Sequence, residues 1–128
     1  MVPLDVRLNA DRPIGEQLVE EFERLIAVSE WAPGAKVPSV RTLAVKFGVN
    51  PNTVQKALTS LDQRGLLDAK STSGRFVTTD EKLIAQTSNA IARSHAARYA
   101  EAMRALNIAR DRAIELFDEQ AQAANDPT

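Results

Sequence analysis

The sequence predicts a mostly helical α+β chain: an N-terminal domain of three helices and a small hairpin, followed by a tail of two helices. Three observations carry this. Residues 39–65 read as two short helices joined by a tight turn, two strand-like runs follow them around Gly74, and residues 81–107 contain neither Pro nor Gly. At 128 residues the chain can hold one compact domain and an appendage, or a small domain completed by a partner subunit.

Residues 1–10 carry Pro3 and an alternation of Val2, Leu4, Val6 and Leu8, and read as an extended arm. Asp11, Arg12 and Pro13 then open a helix in which Ile14, Leu18, Phe22, Leu25 and Ile26 recur on one side. Glu16, Glu20, Glu21 and Glu23 take much of the remainder, so the apolar side should pack on the central helix pair. Pro33, Gly34 and Pro38 prevent the helix from continuing and deliver the chain to Ser39. Lys36 and Val37 could form a short strand there, and Trp31 reads as a core or edge packing residue.

The central pair announces its own ends. Ser39 is a good N-cap, Leu43, Ala44 and Phe47 follow at helical spacing, and Gly48 sits where a sharp turn needs tolerance of positive φ. Asn50 can cap the second helix, Pro51 suits its first turn, and Val54, Ala57, Leu58 and Leu61 make one apolar stripe before Gly65 stops it. Subtracting that stripe leaves Asn52, Thr53, Gln55, Lys56 and Thr59 outside, with no carboxylate among them. Such a face suits a DNA major groove, where amides pair with base edges and Lys neutralises a phosphate; it also suits bulk solvent.

After Gly65, Leu66, Leu67, Phe76 and Val77 belong to two strand-like runs that should bury against the helices and leave Lys70 and Arg75 near the hairpin tip. A cation beside a glycine there can enter a minor groove or reach a phosphate, or it can mark an ordinary solvated turn. The charge distribution favours the first reading. The formal charge of the whole chain is −1, yet residues 36–76 hold Lys36, Arg41, Lys46, Lys56, Arg64, Lys70 and Arg75 against Asp62 and Asp68, a net of +5 between acidic flanks.

Pro33-Gly34-Ala35-Lys36-Val37-Pro38-Ser39-Val40-Arg41-Thr42-Leu43-Ala44, then Val49-Asn50-Pro51-Asn52-Thr53-Val54, Gly65-Leu66-Leu67 and Gly74-Arg75-Phe76-Val77, closely resembles the winged helix-turn-helix of GntR-type transcription regulators. The resemblance spans residues 11–79, after the arm and before a tail over residues 80–128, and the Asn-Pro-Asn-Thr-Val segment with a short tail resembles the YtrA branch of that bacterial family. It implies that Arg41 of the Pro-Ser-x-Arg block contacts DNA. It also implies that the start of the recognition helix supplies Asn52, Thr53, Gln55 and Lys56, and the wing tip Gly74 and Arg75. Thr72 stands where many relatives carry a first wing glycine. Asn50 and Pro51 replace a common Ser-Arg pair, which leaves base readout to amides and Arg41. A repressor of a transporter operon is the function this resemblance implies.

In the tail, Ile84, Ile91, Ala92, Ala96, Tyr99, Met103 and Leu106 fall on one side of a long helix that Asn107 interrupts. A second helix over residues 109–123 presents Ala113, Ile114, Phe117 and Ala121. Two such helices bury too little alone, so the tail is expected to pair with its copy in a homodimer through Ile84, Ile91, Tyr99, Met103, Leu106, Ile114 and Phe117. Packing of the same stripe on the wing domain is the alternative. A dimer would set two recognition helices about 34 Å apart on double-stranded DNA with a palindromic operator, and the long helix could span roughly 35 to 40 Å. The tail is too short for a separate effector domain, although a small-molecule effector could lodge at the dimer interface.

No cofactor or metal is expected, because Cys is absent and His95 is the only histidine. Glu115, Asp118 and Glu119 read as a solvated helix face. No apolar run suggests a signal peptide or membrane span, which makes the cytoplasm the expected compartment and a membrane partner unexpected. An enzyme is disfavoured by the missing Cys nucleophile and phosphate-cradling loop. A protein-binding winged helix is disfavoured by the polar, basic outer side of the second helix.

Overall fold

A computed structural model describes residues 8–125, so most of the expected N-terminal arm lies outside the described residues. Among them run α1 (Ile14–Ala27), α2 (Val40–Phe47), α3 (Pro51–Gln63), β1 (Leu67–Ala69), a single 3-10 turn (Ser71–Ser73), β2 (Arg75–Val77), α4 (Glu81–Ala105) and α5 (Arg110–Asn125). Contacts divide the chain after Asn89 into two units.

In the first unit, α1 contributes Leu18, Phe22 and Ile26 to a core shared with Leu43 of α2 and with Val54, Leu58 and Leu61 of α3. Leu66, Leu67 and Val77 close it from the hairpin side. Each of these large side chains leaves water almost completely, a gain of about 1.5–3 kcal/mol apiece before the entropy of ordering is subtracted. Phe22 lies at the junction, its ring 5.1 Å from that of Trp31 and 5.8 Å from that of Phe47.

Two polar residues of α1 depart from the amphipathic expectation. Gln17 is buried because it ties down the entering chain, accepting from the Asn9 amide at 2.6 Å and donating to the carbonyls of Asn9 and Arg12. Glu21 was expected on the solvent side and is buried instead, with Arg24 donating two hydrogen bonds of 2.9 and 2.8 Å to its carboxylate. That bond holds the Arg24 guanidinium above its ordinary pKa. Burial is tolerated here because each buried polar side-chain atom has a hydrogen-bond partner.

The central pair ends where its local chemistry dictates. Ser39 accepts a hydrogen bond from the Thr42 amide at 3.1 Å and Asn50 one from the Asn52 amide at 2.7 Å, with Pro51 as the first residue of α3. Gly48 takes φ 66° between the helices. A Cβ placed there would meet nothing within 4 Å, so the left-handed backbone alone sets the penalty for a side chain. Gly48→Ala is therefore expected to cost about 1–2 kcal/mol in urea unfolding; an unchanged midpoint would show that the turn relaxes.

The strands pair antiparallel, with Leu67 opposite Val77, Asp68 opposite Phe76 and Ala69 opposite Arg75. This register corrects one expectation. Successive residues of a strand face opposite ways, so Val77 enters the core while its neighbour Phe76 stays half-buried on the outer face. The expected strand at Lys36 and Val37 is reduced to one bridge, between Lys36 and Phe76, beside which the Val37 amide donates to the Arg75 carbonyl at 2.9 Å. The first turns of α4 belong to this unit: Leu83 and Ile84 are half-buried against the core, and the Thr87 hydroxyl donates to the Leu83 carbonyl at 2.9 Å. Ile84, assigned from sequence to a mating face of the tail, thus packs on the N-terminal core.

In the second unit, Asn107 adopts φ 60° and the Ile108 amide donates to the Met103 carbonyl at 2.9 Å, which turns the chain from α4 into α5. The helices meet through Tyr99, whose hydroxyl donates to the Ala113 carbonyl at 2.6 Å and whose ring lies edge-on to Phe117 at 6.4 Å. Ile91, Met103 and Leu116 are half-buried, while Leu106, Ile114 and Phe117 remain 67%, 44% and 58% exposed. Tyr99, Met103, Ile108, Ala113, Ile114 and Phe117 line an apolar cleft of about 510 Å³.

Candidate nucleic-acid interface

The face built by α2, α3 and the hairpin begins with two helix N-termini. Neither α2 nor α3 has an acidic residue in its first turn, whereas α1 has Glu16, α4 has Glu81 and α5 has Asp111. The positive dipole end at such a terminus favours an anion, and no local carboxylate competes.

On these helices Arg41, Asn52, Gln55 and Lys56 are exposed, so their guanidinium, amide and ammonium groups are open to a ligand. Thr53 is half-buried: a Cβ built on Gly15 would come within 3.8 Å of its methyl group, which places it against the start of α1. Gly74 adopts φ 99° at the hairpin turn and is half-buried.

Sorting the seven cations of the basic stretch by partner changes the picture given by their sum. Arg64 pairs with Glu23 of α1. Lys70 lies 3.8 Å from Asp68 and over the Phe76 ring. Arg75, expected at the tip, is turned away from it: Nε donates to both carboxylate oxygens of Asp62 at 3.1 and 3.0 Å, and the side chain is only 17% exposed. Lys36, Arg41, Lys46 and Lys56 make no ion pair among the described residues, and they are the charges available to phosphate.

Lys36 is a cation beside this face that sequence reasoning did not single out. A Cβ on Gly74 would fall 2.9 Å from Lys36 Cε, so the lysine stem runs across the hairpin turn and sets a cation where Arg75 was expected. Its only sequence signal was membership of the basic stretch.

Outside this face, His95 is exposed with Nδ1 at 3.0 Å from an Arg98 nitrogen, and Arg112 pairs with Glu115 and Glu119. Among the described residues no three His, Cys, Asp or Glu side chains gather to hold a metal ion, and no helix is long and apolar enough to cross a membrane.

Residues 14–77 match the family described as bacterial regulatory proteins, gntR family. Among curated proteins, the chain is 23% identical to the uncharacterized HTH-type transcriptional regulator YhcF of Bacillus subtilis, over 88% of this chain and 93% of that one. It is 34% identical to the HTH-type transcriptional repressor YtrA of the same organism, over 64% of this chain and 62% of that one. Among solved structures, a GntR family transcriptional regulator from Listeria monocytogenes superposes with a TM-score of 0.81 at 29% identity, over 87% of this chain and 97% of that one. The DNA-binding domain of AraR in complex with operator ORX1 matches 61% of this chain and 95% of its own, with a TM-score of 0.51 at 30% identity.

Proposed function

Because the chain belongs to the GntR family of bacterial regulatory proteins, and is with its YtrA-like relatives a DNA-binding transcription regulator, we propose that it works as a homodimeric repressor. Its operator would be palindromic and overlap the promoter of a transporter operon, so that occupancy blocks polymerase. The observation that carries this is the concurrence, at two carboxylate-free helix starts, of unpaired Arg41 and Lys56 with the exposed amides of Asn52 and Gln55. Asn52 and Gln55 present donor and acceptor to a base edge, Arg41 reaches a base or phosphate, and Lys56 neutralises a phosphate. The Gly74 turn, with Lys36 across it, follows the backbone into the adjacent minor groove.

Dimerisation rests on the tail. Leu106, Ile114 and Phe117 leave an apolar surface beside half-buried Ile91, Tyr99 and Met103 that a second copy would cover by two-fold symmetry. The cleft between Tyr99 and Phe117 offers a small apolar effector a place from which to alter that pairing. The protein carries no catalytic role in this reading and acts in the cytoplasm, where the chromosome lies.

Selection of bound duplexes from a random pool, followed by sequencing, tests the whole reading, since a palindrome with half-sites one helical turn apart must emerge. On the selected duplex, Arg41→Ala and Lys56→Ala are each expected to weaken binding by about ten- to a hundredfold with the fold unchanged. Lys56→Ala should also reduce the slope of log affinity against log salt by about one. Unchanged affinity and slope for both variants would remove α2 and α3 from the interface.

A further inference from the structure

We propose that Arg75 and Asp62 form a latch that sets the pose of the hairpin wing on the recognition helix. In it Arg75 is a positioning residue rather than a DNA contact; the proposal rests on the DNA-binding reading above. Three observations converge on the strand residue. Its guanidinium Nε is held by both oxygens of Asp62 on the last turn of α3, its backbone carbonyl accepts from Val37 at 2.9 Å, and its neighbour Gly74 lies against the stem of Lys36. One residue therefore joins the wing, the end of the recognition helix and the segment leading into α2.

The side chains of the pair are only 17% and 23% exposed, so each charge is partly desolvated and depends on the other. Backbone bonds from residues 34–37 fix the base of the hairpin, but its tip, carried on three-residue strands, has little pairing of its own to fix its direction. Cutting the latch frees the wing tip to sample poses in which Gly74 misses the minor groove, while Lys36 on the segment leading into α2 and the base-reading end of α3, eleven residues from Asp62 at Pro51, keep their places.

The proposal makes a prediction opposite in sign to simple electrostatics. Asp62→Asn removes a negative charge from a DNA-binding face and liberates an arginine, and both effects taken alone strengthen binding. The latch requires the reverse. With the full chain and a duplex selected from a random pool by the unmodified protein, Asp62→Asn and Arg75→Gln are each expected to weaken binding about fivefold or more. The double variant should fall no further than either single, since both break the same contact. Arg75→Gln should leave the salt slope unchanged, where Lys56→Ala lowers it. Hydroxyl-radical footprints of both single variants should lose the wing's minor-groove protection, while dimethyl sulfate footprints should retain protection of major-groove guanines. Circular dichroism identifies any variant that fails to fold, and the footprint and slope are then read from the other single variant. Tighter or unchanged binding by Asp62→Asn, or a salt slope reduced by Arg75→Gln, overturns the latch while leaving the regulator reading intact. An unmodified protein that selects no duplex overturns that reading and the latch with it.

Discussion

Phe117→Asp is expected to convert the protein into a single-chain species in sedimentation and to weaken binding to a two-half-site operator by about a hundredfold or more, with the first unit still folded. Phe117 is 58% accessible although its ring meets Tyr99 edge-on, and Ile114 and Leu106 beside it are also open to water. On two adjacent helices these three side chains form an apolar surface that the second copy of the proposed dimer would bury. A carboxylate at the centre of that contact is desolvated without a partner, and two-fold symmetry places its equal on the other chain. Loss of the pair turns one bivalent event into two separate ones, and linked sites commonly gain about 10²- to 10⁴-fold over single ones. Binding to an isolated half-site should change little, which separates the effect from unfolding. A variant that still sediments as a dimer would move the contact away from α5.

Phe22→Ala should produce the largest loss of stability in the first unit, about 3–5 kcal/mol in urea unfolding. Phe22 has no exposed surface, stacks on Trp31 and meets the Phe47 edge, so truncation leaves a cavity bordered by α1, α2 and the connecting segment at once. Small domains have roughly 5–15 kcal/mol in total, and a loss of this size brings part of the population to unfolding at ordinary temperature. DNA binding would then fall in proportion to the folded fraction and recover on cooling toward the stability maximum. A midpoint displaced by less than about 1 kcal/mol would mean that Trp31 and Phe47 close the gap.

What was legible in the sequence is what short-range chemistry decides. Ser39, Gly48, Asn50 and Pro51 mark the ends of α2 and α3 because capping and left-handed turns involve residues within a few positions of one another. The stripe of Val54, Ala57, Leu58 and Leu61 is equally readable, since helical periodicity alone assigns it inward. Long-range pairing was not. Asp62 and Arg75 stand thirteen positions apart, and only the strand register shows that one faces the other. Thr53 looked fully exposed until the fold brought Gly15 beside it, and Ile84 fits a tail stripe by spacing yet lies where α4 still borders the core. Glu21 was counted with the solvated carboxylates of α1 because charge alone predicts exposure, whereas a forked pair with Arg24 permits burial. For the proposed interface, the sequence named Arg41, Asn52, Gln55 and Lys56, which the structure leaves exposed, but the availability of each cation was not legible. Availability depends on which acids the fold brings near.

That division of the basic stretch into four open and three occupied cations bears on how the regulator finds its target. Attraction to arbitrary duplex grows with the number of phosphates neutralised, each adding about 0.9 to the salt slope. If Arg64, Lys70 and Arg75 stay against these acids on duplex, fewer phosphates are neutralised at arbitrary sites and each wrong encounter would be shorter. The search would then be faster, and the decision to remain would fall to the amides proposed to read the bases.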